Sequence, residues 1–199
     1  MIDHINCNKR YGADINEYLI AMWKALQNGF LPPKNISKEE YEQIRDNKDQ
    51  YPKELVAIVG FCATYNAKWF GGYAGIVNTK IGTKRNYYDE ATRNILNQIK
   101  NLKDVVFVCK KYDEMDLSKL KNCLIYCDPP YAETTKYKDD FDHIKFWNWV
   151  REISKNNFVF ISEYNAPDDF ECIWQKDLKT TLDKNSRKID TEKLFKLRQ

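Results

Sequence analysis

The stretch Leu124-Ile125-Tyr126-Cys127-Asp128-Pro129-Pro130-Tyr131 decides the fold, because it joins an apolar run to a rigid proline corner. Its first four residues have the composition of a β-strand. Two consecutive prolines cannot donate the hydrogen bonds of a central strand, so this strand ends at Cys127 or Asp128. In an open α/β sheet, the carboxyl end of a strand is the edge where ligands bind. The sequence therefore predicts an α/β fold with a binding loop directly after this strand.

The predicted loop combines hydrogen-bond acceptors with an aromatic ring. Ionised Asp128 offers only acceptor oxygens, and Pro129 has a carbonyl but no N–H. Tyr131 offers a flat face on which a planar ring can stack. These groups suit a flat substrate that donates hydrogen from an amino group, such as an adenine with its exocyclic amine exposed. The alternative is that the four residues form an ordinary turn.

Length and composition indicate one well-buried domain. The 199 residues carry a net charge of +3, and 14% of them are aromatic. This charge is weak evidence for nucleic acid, because DNA-binding domains are often more basic. The six cysteines form no C-x-x-C pair, which disfavours a zinc site. The sequence has neither a signal peptide nor a run of 18 apolar residues, so we expect a cytoplasmic protein.

Strand and helix patterns alternate on both sides of the loop. Arg10 to Asn16 reads as a strand that ends in an acidic loop, and Glu17 to Asn28 as an amphipathic helix with Asn16 as its cap. Ser162 to Pro167 follows another predicted strand and falls at the same ligand edge. The remaining predicted elements are a helix over Tyr88–Leu102, a strand over Val105–Cys109, a helix after Asp142, and strands over Phe158–Ser162, Glu171–Lys176 and Thr191–Leu197.

Residues 29–86 lack this alternation and read as a helical insertion. Ser37 and Glu40 form a capping box for a polar helix, and Pro52 opens a more apolar helix. Basic residues follow on stretches predicted to be loops, including a flexible one over 78–86, where they can contact phosphates. These residues are Lys68, Lys80, Lys84 and Arg85. A solvated loop that binds nothing fits the same pattern equally well.

The tetrapeptide Asp128-Pro129-Pro130-Tyr131 is also the signature of amino-methyltransferases that act on adenine in DNA, and the order of elements resembles the Dam-like, class alpha branch of that family. Asp14-Ile15-Asn16 resembles its N-D-I-N segment, with Ala13 in place of the first Asn. The resemblance implies a Rossmann-like methyltransferase fold, S-adenosylmethionine as methyl donor, and a phage or restriction–modification setting. It assigns catalysis to Asp128, Pro129, Pro130 and Tyr131, and donor binding to Asp14, Tyr112, Asp113 and Asp128.

Two of these residues also fit a purely structural role. Asp14 alone would more often be a surface turn or cap residue, and Asp113 would serve equally as a cap for the segment Met115 to Leu120. The whole chain can also be read as a catalytically silent DNA-binding fragment of such an enzyme. Methylation of RNA or of protein glutamine is a third alternative, although those enzymes more often carry Asn in place of Asp128.

The resemblance also implies a domain division and a partner. Residues 1–28 and 87–199 would form the catalytic domain, and residues 29–86 the target-recognition insertion with its DNA-contact loop. The partner would be double-stranded DNA whose target adenine is flipped out of the stack.

The family's glycine loop has no counterpart in the expected place. This loop, of the type F-x-G-x-G, holds the methionine end of the donor and should lie about twenty residues before the acidic position of Asp14. Phe70 to Gly75 mimics the pattern but comes after Asp14, so it is not assigned to the donor. We therefore expect a fold that lacks its first strand. Such a chain would be a fragment, would self-associate, or would pair with a complementing chain.

Overall fold

The computed structural model describes residues 2–79, 81–117, 119–131, 141–179 and 189–198. Their contacts divide the chain into two compact units, Met1–Glu114 and Met115–Gln199. Both units combine helices with strands, which confirms the predicted mixed α/β class. In the described part of the chain, no helix has the length and apolar character needed to cross a membrane.

The first unit contains a small parallel sheet, a hairpin and helices. Its elements are β1 Arg10–Asp14, α1 Glu17–Gln27, α2 Lys38–Asp46, α3 Lys53–Cys62, β2 Ile76–Asn78, β3 Lys84–Asn86, α4 Tyr87–Gln98 and β4 Val105–Cys109. Strands β1 and β4 run parallel, from the pair Arg10 and Val105 to the pair Asp14 and Cys109. The carboxyl ends of the two strands therefore meet at one sheet edge.

Asn16 caps the start of helix α1, and Gly29 follows its end. The Asn16 side chain accepts the backbone N–H groups of Tyr18 and Leu19 at 3.0 and 3.1 Å. Gly29, just beyond the helix, has φ +88°, a left-handed conformation that glycine adopts without a Cβ clash. Ile20, Met22 and Leu26 of α1 are at most 5% exposed.

The predicted insertion shares the core of the first unit. Val56 and Val59 of α3 are fully buried and belong to the same cluster as Leu26 of α1 and Phe107 of β4. Burial of this kind is the main stabilising contribution to such a unit. The proposed boundaries of the insertion, 29–86, remain a prediction.

The glycine-rich segment Phe70–Gly75 packs against this core. The Tyr41 hydroxyl accepts the Gly72 N–H at 3.2 Å, and the Tyr73 hydroxyl donates to the Ile36 carbonyl at 2.7 Å. Ala74 is fully buried. The segment therefore has a packing role that explains its glycines and aromatics without a bound donor.

The strands Ile76–Asn78 and Lys84–Asn86 form a β-hairpin, whereas the sequence predicted a flexible loop over 78–86. Strands β2 and β3 pair antiparallel, with Ile76 opposite Asn86. The Thr79 N–H donates to the Thr83 carbonyl at 2.7 Å, and Gly82, at φ +79°, forms the turn. Three-residue strands are too short to show an alternating pattern, so periodicity could not reveal them.

The second unit is built on one mixed sheet. Its elements are β5 Leu124–Cys127, α5 His143–Ser154, β6 Phe158–Glu163, β7 Phe170–Lys179 and β8 Ile189–Leu197, and the strand order is β5-β6-β8-β7. Strand β6 is parallel to β5, whereas β8 is antiparallel to both β6 and β7. Helix α5 buries Phe146, Trp147 and Val150. The predicted strands of this unit are confirmed, and β7 and β8 are longer than predicted.

Candidate active site

The proline corner lies directly after β5, at the carboxyl edge of the second unit's sheet. Strand β5 ends at Cys127, Asp128 is exposed, and Pro129 beneath it is buried. Pro130 and Tyr131 are half-buried. The four residues thus follow the strand as predicted, with Asp128 exposed to solvent.

Tyr131 is attached to the neighbouring strand β6. Its hydroxyl lies 2.9 Å from Oγ of Ser162, and its ring meets that of Tyr164 edge-on, with the centroids 4.6 Å apart. The Tyr131 side chain also lies near enough to Asp128 to lower the pKa of that carboxyl. Burial raises the pKa of Tyr131 to about 12, so at neutral pH its hydroxyl keeps its proton and can donate it to a carboxylate.

Two other carboxylates, those of Glu192 and Glu163, lie near Asp128. Its pKa is raised, first because the surrounding protein displaces water from the carboxyl and then because of the charge of Glu192, with a smaller effect from Glu163. Tyr131 acts in the opposite direction. Glu163 is itself 2% exposed and accepts the Tyr164 N–H at 2.6 Å.

Ser162 and Glu163 were not among the predicted site residues, although their segment was expected at this edge. They are distant from Asp128 along the chain, and only the pairing of β5 with β6 makes them neighbours. The sequence signal that could have identified them is that their segment and the Asp128 loop each follow a strand, since parallel strands bring such segments to one edge of the sheet.

The predicted donor-binding residues Asp14, Tyr112 and Asp113 belong to the first unit. Asp14 ends β1, and its Oδ1 accepts the Asn16 N–H at 2.6 Å. The Asp14 carbonyl accepts the Lys110 N–H at 3.1 Å, which ties the loop after β4 to the same edge. Tyr112 and Asp113 lie in a 3-10 turn of that loop.

The described residues of the segment Met115 to Leu120 contain no helix, and the alternative role of Asp113 as a cap for this segment stays a prediction. The carboxyl edge of the first unit therefore carries all three of these predicted residues. Asp128 lies in the other unit.

The predicted DNA-contact residues are exposed where the structure describes them. Lys68 follows a 3-10 turn after α3, and Lys84 begins strand β3 of the hairpin; both side chains are exposed. Lys80 lies outside the described residues. These basic side chains fit phosphate contact, and the assignment remains a prediction.

Arg85 makes contacts that the sequence did not reveal. Its guanidinium forms a bidentate pair with Glu90 at 2.8 and 3.0 Å and lies over the Tyr87 ring at 4.4 Å. Tyr65, 44% exposed, meets Tyr87 edge-on at 5.3 Å. A phosphate would have to compete with Glu90 for Arg85, so the two lysines are the more available cations. The tyrosines add an aromatic surface beside Arg85.

Among the residues whose placement is described, no three His, Cys, Asp or Glu side chains are grouped so that they could hold a metal ion.

The chain resembles known proteins over most of its length. A family model described as "D12 class N6 adenine-specific DNA methyltransferase" matches residues 3–167. The chain is also 25% identical to the type II methyltransferase M.FokI of Planomicrobium okeanokoites over 171 residues, which cover 75% of this chain and 26% of the relative. The chain thus matches about a quarter of the length of that relative.

Proposed function

Because the chain belongs to the D12 class N6 adenine-specific DNA methyltransferase family, we propose that it transfers a methyl group from S-adenosylmethionine to the exocyclic amine of adenine in DNA. The observation that carries this proposal is the accessible acceptor carboxylate of Asp128 at the carboxyl edge of a parallel strand pair. Asp128 directly precedes the buried Pro129, and Tyr131 lies near enough to lower the pKa of its carboxyl.

Asp128 and the Pro129 carbonyl would make the amine nucleophilic. The lone pair of this amine is delocalised into the purine ring, which makes the amine a poor nucleophile. When two acceptors take its two hydrogens, the nitrogen becomes tetrahedral and its lone pair leaves the ring plane. The acceptors must be in place before the reaction, because their positioning and charge supply the acceleration. Asp128 must be ionised, since a protonated carboxyl would present a donor.

The proposed methyl transfer needs no covalent intermediate with the enzyme. The amine nitrogen, held by Asp128 and the Pro129 carbonyl, would take the methyl group directly from the donor sulfur and would then release its extra proton to water. S-adenosylmethionine, when bound, supplies an electrophilic methyl group on a positively charged sulfur. The flipped adenine would contact the ring of Tyr131, since base stacking on an aromatic side chain contributes about 1–3 kcal/mol.

The edge of the first unit fits the nucleoside end of the donor. Oδ2 of Asp14 has no hydrogen-bond partner among the described residues, so it can accept from a ribose hydroxyl. Tyr112 and Asp113, on the adjacent loop, would contact the donor's adenine. We assign no residue to the methionine end, because Phe70–Gly75 is engaged in packing.

DNA would contact the exposed basic side chains of the insertion. Lys68 and Lys84 are proposed to neutralise phosphates, Lys80 remains part of the same prediction, and Arg85 would exchange Glu90 for a phosphate. We place the protein in the cytoplasm, where its substrate DNA lies and where its six free cysteines stay reduced.

We further propose a Rossmann-like fold that an additional strand completes. Among the described strands, β1 pairs only with β4 and β5 pairs only with β6, so each has an unpaired edge. Apolar side chains on these strands are open to solvent, since Tyr11 and Leu124 are each 56% exposed. Parallel sheets normally bury both faces and such edges. The missing strand would come from outside the described residues, from a second copy or from a complementing chain.

The proposed activity is tested by a donor-binding titration followed by transfer of a labelled methyl group to DNA by the purified chain. We expect donor binding and a label recovered as N6-methyladenine. Binding of DNA without any transfer, under conditions in which the donor is bound, would contradict the proposal and favour the silent DNA-binding alternative.

A further inference from the structure

The end of strand β6 contacts the Tyr131 side chain at two places. The Tyr131 hydroxyl lies 2.9 Å from Oγ of Ser162, so the two hydroxyl groups share a hydrogen bond. The Tyr131 ring meets the Tyr164 ring edge-on, with an interplanar angle of 70° and the centroids 4.6 Å apart. Ser162 belongs to β6, and Tyr164 directly follows the last residue of that strand. One short segment therefore contacts both the hydroxyl and the ring of Tyr131.

The two contacts restrict different torsion angles of Tyr131. The hydroxyl oxygen lies on the long axis of the ring, so rotation of the ring about the Cβ–Cγ bond, χ2, does not move it. The hydrogen bond to Ser162 therefore restricts χ1, which decides where the ring axis points. The edge-on contact with Tyr164 is lost when the ring plane turns, so it restricts χ2. Together the contacts define both the direction and the plane of the ring.

Ser162 and Tyr164 are themselves attached to a rigid support. Strand β6 lies between β5 and β8 in the sheet, and Ser162 is paired with Leu194 of β8. Ser162 is only 9% exposed. The buried Glu163 accepts the Tyr164 N–H at 2.6 Å, which restrains the backbone where the strand ends. Groups on a paired inner strand are held more precisely than groups on a loop.

Tyr131 needs support from another strand because the proline corner does not supply it. Pro129 and Pro130 fix the φ angles of their own backbone but leave the torsions of the Tyr131 side chain free. Tyr131 is also only half-buried. A ring that rotates freely loses that freedom when a base stacks on it, whereas a ring ordered in advance does not pay this entropy. The contacts from β6 therefore favour stacking before any base arrives.

We propose that Ser162 and Tyr164 are positioning residues that hold the Tyr131 ring in the orientation in which a flipped adenine stacks on it. Ser162 acts through χ1 and Tyr164 through χ2. Neither residue touches the substrate in this role, so each acts only through the Tyr131 ring. The proposal rests on the proposed function for the identity of the group that stacks on Tyr131, whereas the two contacts exist without substrate.

The test removes each contact separately and preserves its chemistry in a second variant. Ser162→Ala removes the hydroxyl group, and Ser162→Thr keeps one. Tyr164→Leu removes the aromatic ring, and Tyr164→Phe keeps it. Ser154→Ala is the matched control in the same unit, because Ser154 Oγ is buried without a hydrogen-bond partner in the described structure. All five purified variants are first checked for native circular dichroism.

The primary readout is NMR of the Tyr131 side chain in the free protein, with its signals assigned by their loss in Tyr131→Phe. Three-bond couplings report the χ1 rotamers, and order parameters of the ring C–H bonds report motion of the ring plane. We expect one χ1 rotamer in wild type. Ser162→Ala should average the couplings over several rotamers, and Tyr164→Leu should lower the ring order parameters. Ser162→Thr, Tyr164→Phe and Ser154→Ala should match wild type.

Two NMR results would overturn the proposal. One is a wild-type protein in which χ1 of Tyr131 is already averaged. The other is unchanged couplings and order parameters in folded Ser162→Ala and Tyr164→Leu. If Ser162→Ala does not fold, Tyr164→Leu alone decides.

The secondary readout is methyl transfer to DNA. Ser162→Ala and Tyr164→Leu should each lower kcat/KM for DNA by up to about tenfold, with an unchanged KM for the donor, because a disordered ring captures the base less well. Wild-type transfer by both variants, despite a loosened ring, would contradict the proposal, as would an equal loss in Tyr164→Phe and Tyr164→Leu. A wild-type chain that shows no transfer, while the NMR differences between variants persist, would reject the proposed function and leave the positioning of Tyr131 supported.

Discussion

The Asp128 carboxylate is subject to two opposing requirements. In the proposed reaction it must be ionised to accept hydrogen from an amine, yet its surroundings favour the protonated form. Partial loss of water around the carboxyl and the charges of Glu192 and Glu163 raise its pKa, and Tyr131 offsets part of that effect. Perturbed carboxylates of this kind cluster at functional sites, where they lower the stability of the fold.

Replacement of Asp128 by Asn should therefore stabilise the second unit near neutral pH. The folded pKa of Asp128 lies above its unfolded value near 4, so ionisation costs stability as the pH rises between the two and fully above the folded pKa. Thermal unfolding from pH 4 to pH 8 should show Asp128→Asn ahead of wild type at pH 8, with the difference vanishing at low pH. Asp168→Asn, at an exposed position in the same unit, is the control. Equal stability of Asp128→Asn and wild type at pH 8 would contradict this interpretation.

At the scale of the elements, strand pairing determines which side chains meet. Cys127 of β5 lies opposite Ile161 of β6, so the next residues, Asp128 and Ser162, come side by side at the carboxyl edge. A shift of one residue in this pairing would send alternate side chains to the other face of the sheet. The proline corner alone is therefore not sufficient, and its function depends on the pairing of β5 with β6.

The helices of the first unit depend on their caps. The Ser37 Oγ accepts the Glu40 N–H at 3.1 Å, and the Glu40 carboxylate accepts the Ser37 N–H at 2.7 Å. We expect Ser37→Ala to destabilise the first unit by about 1 kcal/mol, because the Glu40 N–H at the start of α2 loses the side-chain oxygen that accepts it. Denaturant unfolding measures this, with Ser37→Asp as a control that restores a capping oxygen. A loss of the same size in both variants would show that the cap is not the cause.

For the molecule as a whole, sequence analysis predicted correctly the features that depend only on residues close together along the chain. The corner at Asp128, the capping box at Ser37 and the bounds of β4 and β5 follow from local chemistry and were predicted correctly. The contact of Tyr131 with Ser162 could not be predicted in the same way, because it needs the order of strands in the sheet.

The contacts of Arg85 also could not be predicted from the sequence. Its aromatic neighbour Tyr87 and its pairing with Glu90 follow from the hairpin, whose three-residue strands gave no periodic signal. Basic residues could be identified as candidates from their type alone. Which of them are free to meet a phosphate depends on partners that only the folded chain reveals.

Because β1 and β5 each have an edge that no other described strand pairs with, we predict association. Light scattering coupled to size-exclusion chromatography should give a mass of about twice the 23.7 kDa of one chain, or of one chain plus a complementing partner. Leu124→Lys should weaken self-association by placing a charge on the exposed surface of β5, whereas Ile173→Lys on β7 is the matched control. A compact monomer that binds the donor tightly would contradict this prediction.

The most direct test of the central claim is methyl transfer by Asp128→Ala beside wild type and Ser154→Ala. If Asp128 accepts hydrogen from the adenine amine, Asp128→Ala should abolish labelling of DNA while donor binding stays measurable, and Ser154→Ala should transfer at the wild-type rate. Transfer by Asp128→Ala at a rate close to wild type would show that the carboxylate has no part in the reaction.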